Sequence, residues 1–155
     1  MFKISYIIIP LVTLAVAFGG GQLTSAGMKW YQTIHKPAWT PPGAIIGLVW
    51  TVIFILATVS AILVWNLKIS PQIMPWIAGL FLANAALNVA WSYLFFYKHL
   101  MLLAGWEAAL LDLSVIILII VLWPLSRLAA GLLIPYAGWV AFATYLTFTV
   151  ANLNR

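Results

Sequence analysis

The sequence predicts an all-α integral membrane protein, a single bundle of five transmembrane helices over residues 1–155. Three observations lead there. Of the 155 residues, 66% are hydrophobic and only 6% charged, against roughly 45–50% apolar and about 25% charged in soluble domains. Mean hydropathy is +1.13. Seven Lys and Arg with two acids cannot cover a water-facing surface of this size, so lipid must be the solvent. The apolar residues also run continuously, without the alternation over about 10 residues that a membrane barrel requires. Finally, spanning helices of about 20 residues each let five helices fill the chain and leave no room for a soluble domain.

The first span is expected over 4–25. Lys3, the apolar run and Ala15-Val16-Ala17 can be read as a secretory signal, but the apolar character continues beyond them, which favours an uncleaved helix. Gly19-Gly20-Gly21 should loosen its second half. Residues 27–43 then form the one long connection, expected to lie on the membrane as a lid. Its Pro37, Pro41 and Pro42 oppose a continuous helix, and Trp30, Tyr31 and Trp39 favour the headgroup region.

Further spans are expected over 44–66, 73–97, 100–123 and 129–151. Lys68, Pro71 and Pro75 mark the turn after the second; Lys98-His99 ends the third; Pro124 and Arg127 follow the fourth. Pro135 should bend the fifth. Short turns make successive helices antiparallel neighbours. Cations divide as Lys3, Lys68 and Arg127 on one side against Lys29, Lys36, Lys98 and Arg155 on the other, so the positive-inside rule sets no orientation. Scattered singly, they form no nucleic-acid-binding stripe. With no internal repeat, an inverted-repeat transporter plan has no support.

Helical periodicity sorts the third span into two faces. Gly79, Ala83, Ala86 and Ala90 form a small-residue stripe suited to close helix approach, and hence to a dimer interface. Asn84, Asn88, Trp91 and Phe95 form a polar-aromatic stripe turned about 100–140° away. Amides pointing at lipid tails have no partners, so this second stripe should face an interior space, either as a pocket wall or as a tie between helices. Gly43, Gly47, Trp50, Phe54, Ala57 and Ala61 share a face of the second span. Tyr136, Trp139, Ala143, Leu146 and Val150 share one on the fifth. Such faces can shape a slot for a flat ligand or interlock with a neighbour.

The only acids, Glu107 and Asp112, both fall in the fourth span, pointing about 140° apart, so they are no carboxylate pair. Glu107 should lie near the interface, within reach of water, and Asp112 deeper. Each can tie helices together or relay protons. His35 and His99 fall on one side of the membrane, where they can approach each other or hold an anionic head group. They lack a third ligand, so no metal site is expected. There are no cysteines, and no nucleophile-base set or phosphate loop appears.

A run of motifs remains: Trp30-Tyr31, Lys36-Pro37, Trp39-Thr40-Pro41-Pro42 and Trp50; Asn88-Val89-Ala90-Trp91 with Phe95-Phe96; then Pro135-Tyr136, Trp139, Ala141-Phe142-Ala143-Thr144 and Leu146. In order and spacing, over nearly the whole chain, these closely resemble the translocator protein / tryptophan-rich sensory protein family (TspO/MBR). The resemblance implies a five-helix bundle, often a homodimer, with a pocket closed by the first connection. It implies binding of tetrapyrroles such as protoporphyrin and haem, of sterols, and of synthetic benzodiazepine-site ligands, with no covalently bound cofactor. Carried over residue by residue, the pocket comprises Tyr31, Trp39, Trp50, Phe54, Asn88, Trp91, Trp139 and Ala143, to which the face reading adds Asn84 and Phe95. The family's third helix is implicated in dimerisation. The tyrosine and arginine of the animal members' sterol-recognition segment correspond here to Phe148 and Asn152, which favours a bacterial-type, tetrapyrrole-handling member in a bacterial cell membrane. The expected role is a receptor or carrier in transport or sensing. Alternatives are light-dependent oxidative degradation of protoporphyrin, with Trp39, Trp50 or Trp139 supplying electrons, and a structural partner for other membrane proteins.

Overall fold

The computed structural model describes residues 4–155; Lys3, expected at one interface, lies outside the described residues. The elements are α1 (Ser5–Thr33), α2 (Gly43–Trp65), α3 (Met74–Ser92), which continues as a π-helical turn (Tyr93–Tyr97), α4 (Met101–Leu122), α5 (Arg127–Gly131) and α6 (Ile134–Leu153). With α3 joined to its π turn and α5 to α6, five helices are long and apolar enough to cross a membrane. The bundle is therefore all-helical and multi-pass, as the composition requires. The second, third and fourth spans begin and end within a residue or so of the expected bounds, because proline or a cation brackets each.

The first span differs. α1 runs eight residues beyond 25, carrying Trp30 and Tyr31 as helical residues, and the connection shrinks to residues 34–42. No proline falls between Pro10 and Pro37, and Lys36 closes the end: its Nζ donates to the carbonyls of Tyr31 at 2.6 Å and Ile34 at 3.1 Å. A cation there satisfies carbonyls left bare at a helix C-terminus. At 29 residues and about 1.5 Å per residue, α1 outreaches the hydrocarbon layer and carries its last turns into the interface. Gly19-Gly20-Gly21 leave the helix unbroken.

α5 and α6 are separated by a turn at Leu132-Leu133, one turn before Pro135. The proline has no N–H to offer the Gly131 carbonyl, so the expected bend becomes a break at that point. Ser126 caps α5, its Oγ accepting the Ala129 N–H at 3.2 Å.

Helices α2 to α6 make the solid part of the bundle, with Ile53, Ile77, Leu111, Val115, Leu133 and Val140 at its centre. The Ser60 hydroxyl donates to the Ala129 carbonyl at 2.8 Å, fastening α2 to α5. α1 is the exception: only Ser5, Gly20 and Gly27 are buried along it. It leans on the rest at one tight crossing. A Cβ on Gly27 would stand 2.7 Å from Cβ and 2.8 Å from the carbonyl carbon of Phe96, so only glycine lets α1 meet the π turn at that distance.

Two long-range contacts place the 34–42 connection, the 98–100 turn and the C-terminus at one end. Asn154 pairs with the His35 backbone in both directions, accepting its N–H at 2.9 Å and donating to its carbonyl at 2.8 Å. The His99 ring stacks on Trp30 at 4.0 Å, holding a backbone φ of 59° that is uncommon outside glycine. The two histidines share an end of the bundle, as expected; the His99 ring is engaged by Trp30, and His35 is held through its backbone.

Gly27→Ala should lower the thermal unfolding midpoint in detergent, by the equivalent of about 1–3 kcal/mol for overpacking. Gly19→Ala, with nothing within 4 Å of its Cβ position, should be neutral or stabilising by about 0.5–1 kcal/mol.

Candidate functional site

Because the inward side of α1 carries small residues, it does not fill the space it encloses. A cavity of about 540 Å³ remains between Val16, Ala17, Gly20, Gly21 and Thr24 on α1 and the aromatic faces of the other helices. α2 supplies Trp50 and Phe54, α3 and its π turn supply Asn88, Trp91 and Phe95, and α6 supplies Trp139 and Ala143; Tyr31 closes the end near the connection. These eight expected residues all reach one wall of the same space. On the shared face of α2, Gly43, Gly47, Trp50 and Phe54 thus line a void, while Trp50 also packs against a neighbouring helix.

Ring contacts fix the walls. Trp91 stacks on Phe95 with centroids 5.3 Å apart and planes at 11°. Tyr31 meets Phe95 and Phe96 edge-on, and Trp50 meets the ring of Tyr136 edge-on at 6.0 Å. Such edge-to-face and offset pairs hold aromatic rings in defined orientations. The indole N–H groups of Trp91 and Trp139 are buried and have no partner among the described residues. A buried donor is normally satisfied, and these two donors on cavity-lining residues are not.

Beneath the cavity a chain of hydrogen bonds joins three helices. The Asn88 amide donates to the Tyr136 hydroxyl at 3.1 Å, and that hydroxyl donates to Asn84 Oδ1 at 3.1 Å. The Asn84 amide donates to Ser114 Oγ at 2.8 Å, and Ser114 donates to the Leu111 carbonyl at 2.7 Å. Polar groups with no water to bind must pair with one another, and this chain accomplishes that. Asn84 therefore belongs to a helix tie and lies outside the wall of the large cavity, while Asn88 serves both roles.

Trp39 also stands apart. Its ring is 45% exposed and lies flat on Tyr145 at 5.5 Å and edge-on to Phe142, so it backs the wall residue Phe142 without lining the cavity. It does not share a wall with Trp50 and Trp139. Gly79, Ala83 and Ala86 are exposed and Ala90 is half-buried, so the small stripe faces away from the bundle.

Along α4, Glu107 lies nearer the helix end than Asp112, as expected, but its side chain is the more buried of the two. Glu107 is only 8% exposed, because it falls on the buried face of α4 with Ala104, Ala108 and Leu111; Asp112 turns off that face and is half-buried. Neither Glu107 carboxyl oxygen has a hydrogen-bond partner among the described residues.

The TspO/MBR family model matches residues 7–153. The chain belongs to that family. It is 37% identical to the tryptophan-rich protein TspO of Bacillus cereus, over 98% of each chain. It is 34% identical to the translocator protein of Homo sapiens, over 83% of this chain and 77% of that one. It is 31% identical to the tryptophan-rich sensory protein of Cereibacter sphaeroides, over 92% and 90%. With five apolar spans, this family member is an integral, multi-pass membrane protein.

Three features of the site escaped the sequence reading. Lys36 reaches the cavity wall as well as capping α1, and places its ammonium 4.6 Å above the Tyr31 ring. Asn154 ties down the connection through contacts 119 residues apart, for which no local signal exists. The small inward face of α1, which creates the void, includes Gly20 and Gly21, whose run suggested only a looser helix. At the positions of the animal sterol segment, Phe148 packs edge-on against Trp106 at 5.3 Å, inside the α4–α6 seam, and Asn152 is exposed.

Tyr136→Phe should destabilise the bundle by about 1–3 kcal/mol, the cost of leaving buried amide groups unsatisfied. The check is thermal unfolding in detergent; a midpoint equal to wild type would show that the hydroxyl ties nothing.

Proposed function

We propose that the protein is a membrane receptor or carrier that holds a tetrapyrrole, protoporphyrin or haem, in the large cavity. The observation that carries this reading is a void walled by Trp50, Trp91 and Trp139, the last two bearing buried indole N–H groups without partners among the described residues. A flat macrocycle gains contact area by lying against such rings. The cavity, at about 540 Å³, falls within the roughly 300–1,000 Å³ of small-molecule sites. Rim carboxylates suit the unpaired indole donors and the Lys36 ammonium, which has three donors and uses two on backbone carbonyls. Asn88, already held by Tyr136, offers a positioned amide.

Relatives carrying the names sensory protein and translocator protein make sensing or movement of the bound molecule the two roles consistent with this reading. Self-association is assigned to the α3 face of Gly79, Ala83 and Ala86, which stays open within one protomer and allows close helix approach in lipid.

Titrating protoporphyrin into purified protein and following tryptophan quenching tests the assignment. Trp50→Ala combined with Asn88→Ala should weaken binding by about tenfold or more, since 1.4 kcal/mol corresponds to a factor of ten. Trp76→Ala, whose ring is 78% exposed on the outer surface, should leave the dissociation constant unchanged. Equal affinity in the double variant and the wild type would refute the pocket.

A further inference from the structure

A second void, of about 310 Å³, lies along the N-terminal half of α1, against α2, α3 and Tyr136. It meets the large cavity at Val16, Phe54 and Asn88, which line both. Its chemistry is different. Its walls are aliphatic or alanine over most of their extent, for instance Val12, Ala57, Ala61 and Ala85. The polar atoms beside it are engaged with one another: Thr13 with Thr58 at 2.8 Å, and Tyr136 with Asn84 and Asn88. A ligand with a polar interior would find nothing there to pair with, so the space suits hydrocarbon.

Two further observations say how such a ligand would sit. Ile8 on α1 and Leu82 on α3 line the void and are also among the exposed hydrophobic residues, Leu82 at 59%. The space therefore opens to the outside of the protomer between these two helices, beside the α3 face assigned to self-association. At its other extremity, Ser5 lines the wall with a hydroxyl that is buried and unpaired among the described residues. That O–H can donate to a carboxyl or ester oxygen.

We propose that this second void is a binding site for a single fatty acyl chain, entering from the bilayer between α1 and α3 with its carboxyl or ester oxygen at Ser5. The chain ends below Phe54 and Asn88, so it forms the floor of the larger cavity. The assignment does not depend on what the larger cavity holds.

The test uses palmitic acid carrying a mid-chain diazirine and, in a separate preparation, phosphatidylcholine bearing the same chain. Each is irradiated with the full-length protein in lipid nanodiscs, and the labelled residues are mapped by peptide mass spectrometry. Label should concentrate on the α1, α2 and α3 residues of the void and be displaced by excess unlabelled palmitate or phosphatidylcholine. Ala57→Phe and Ala85→Phe, each filling the space, should reduce that label by about tenfold, the factor set by 1.4 kcal/mol. Competition by palmitate alone identifies a free fatty acid as occupant, and competition by phosphatidylcholine identifies a bilayer lipid. Label spread evenly over outward residues such as Leu103 and Leu110, without competition in wild type, overturns the proposal. That competition decides the matter even where a filled variant fails to fold. Protoporphyrin quenching measured on the same samples separates failure here from failure at the larger cavity.

Discussion

The arrangement depends on one mismatch within the bundle: α1 turns small side chains toward helices that turn large rings toward it. Thr13, Val16, Ala17, Gly20, Gly21 and Thr24 cannot fill the distance to Trp50, Trp91 and Trp139. In water such a gap would tend to close by collapse. In lipid there is no hydrophobic drive between helices, and the gap persists because α1 is held at fixed points. Gly27 against Phe96 sets one of them, and the Thr13–Thr58 hydroxyl pair sets another.

The remaining helices need a rigid frame if the void is to keep its shape, and the frame is polar at its centre. Asn88, Tyr136, Asn84 and Ser114 link α3, α6 and α4 in a single run of donors and acceptors. Each member satisfies its neighbour in a medium that offers no water. The same run holds Asn88 at the cavity wall, so the group that orders the helices is also one that meets a ligand. Above it, the connection is held at its start, Lys36 bonding back to α1 and His35 pairing with Asn154, while Trp39 braces it from outside against Tyr145. The cover is thus anchored to α1 and α6, two of the helices that form the walls.

Much of this was legible in the residues. Apolar runs bracketed by Lys, His and Pro located three spans closely, and the two faces of α3 separated as a period of 3.6 demands. Asn84, Asn88, Trp91 and Phe95 are turned inward or onto a cavity wall, while Gly79, Ala83 and Ala86 face out. The end of α1 was not legible, because Trp30 and Tyr31 suit an interfacial loop and an interfacial helix equally, and the deciding Lys36 cap is a matter of side-chain reach. Trp39 was misplaced relative to the cavity because its partner, Tyr145, lies over a hundred residues away. The burial of Glu107 over Asp112 followed from which face of α4 meets its neighbours, which a continuously apolar helix does not reveal.

The most direct test is a ligand-bound structure of the protein in a lipid nanodisc, prepared with protoporphyrin. The account predicts macrocycle density in the void between α1 and α6, flat against the indoles, with rim carboxylates near Lys36 and the Trp91 and Trp139 nitrogens. Macrocycle density on the outer surface of the bundle, with side chains closing the interior space, would contradict it.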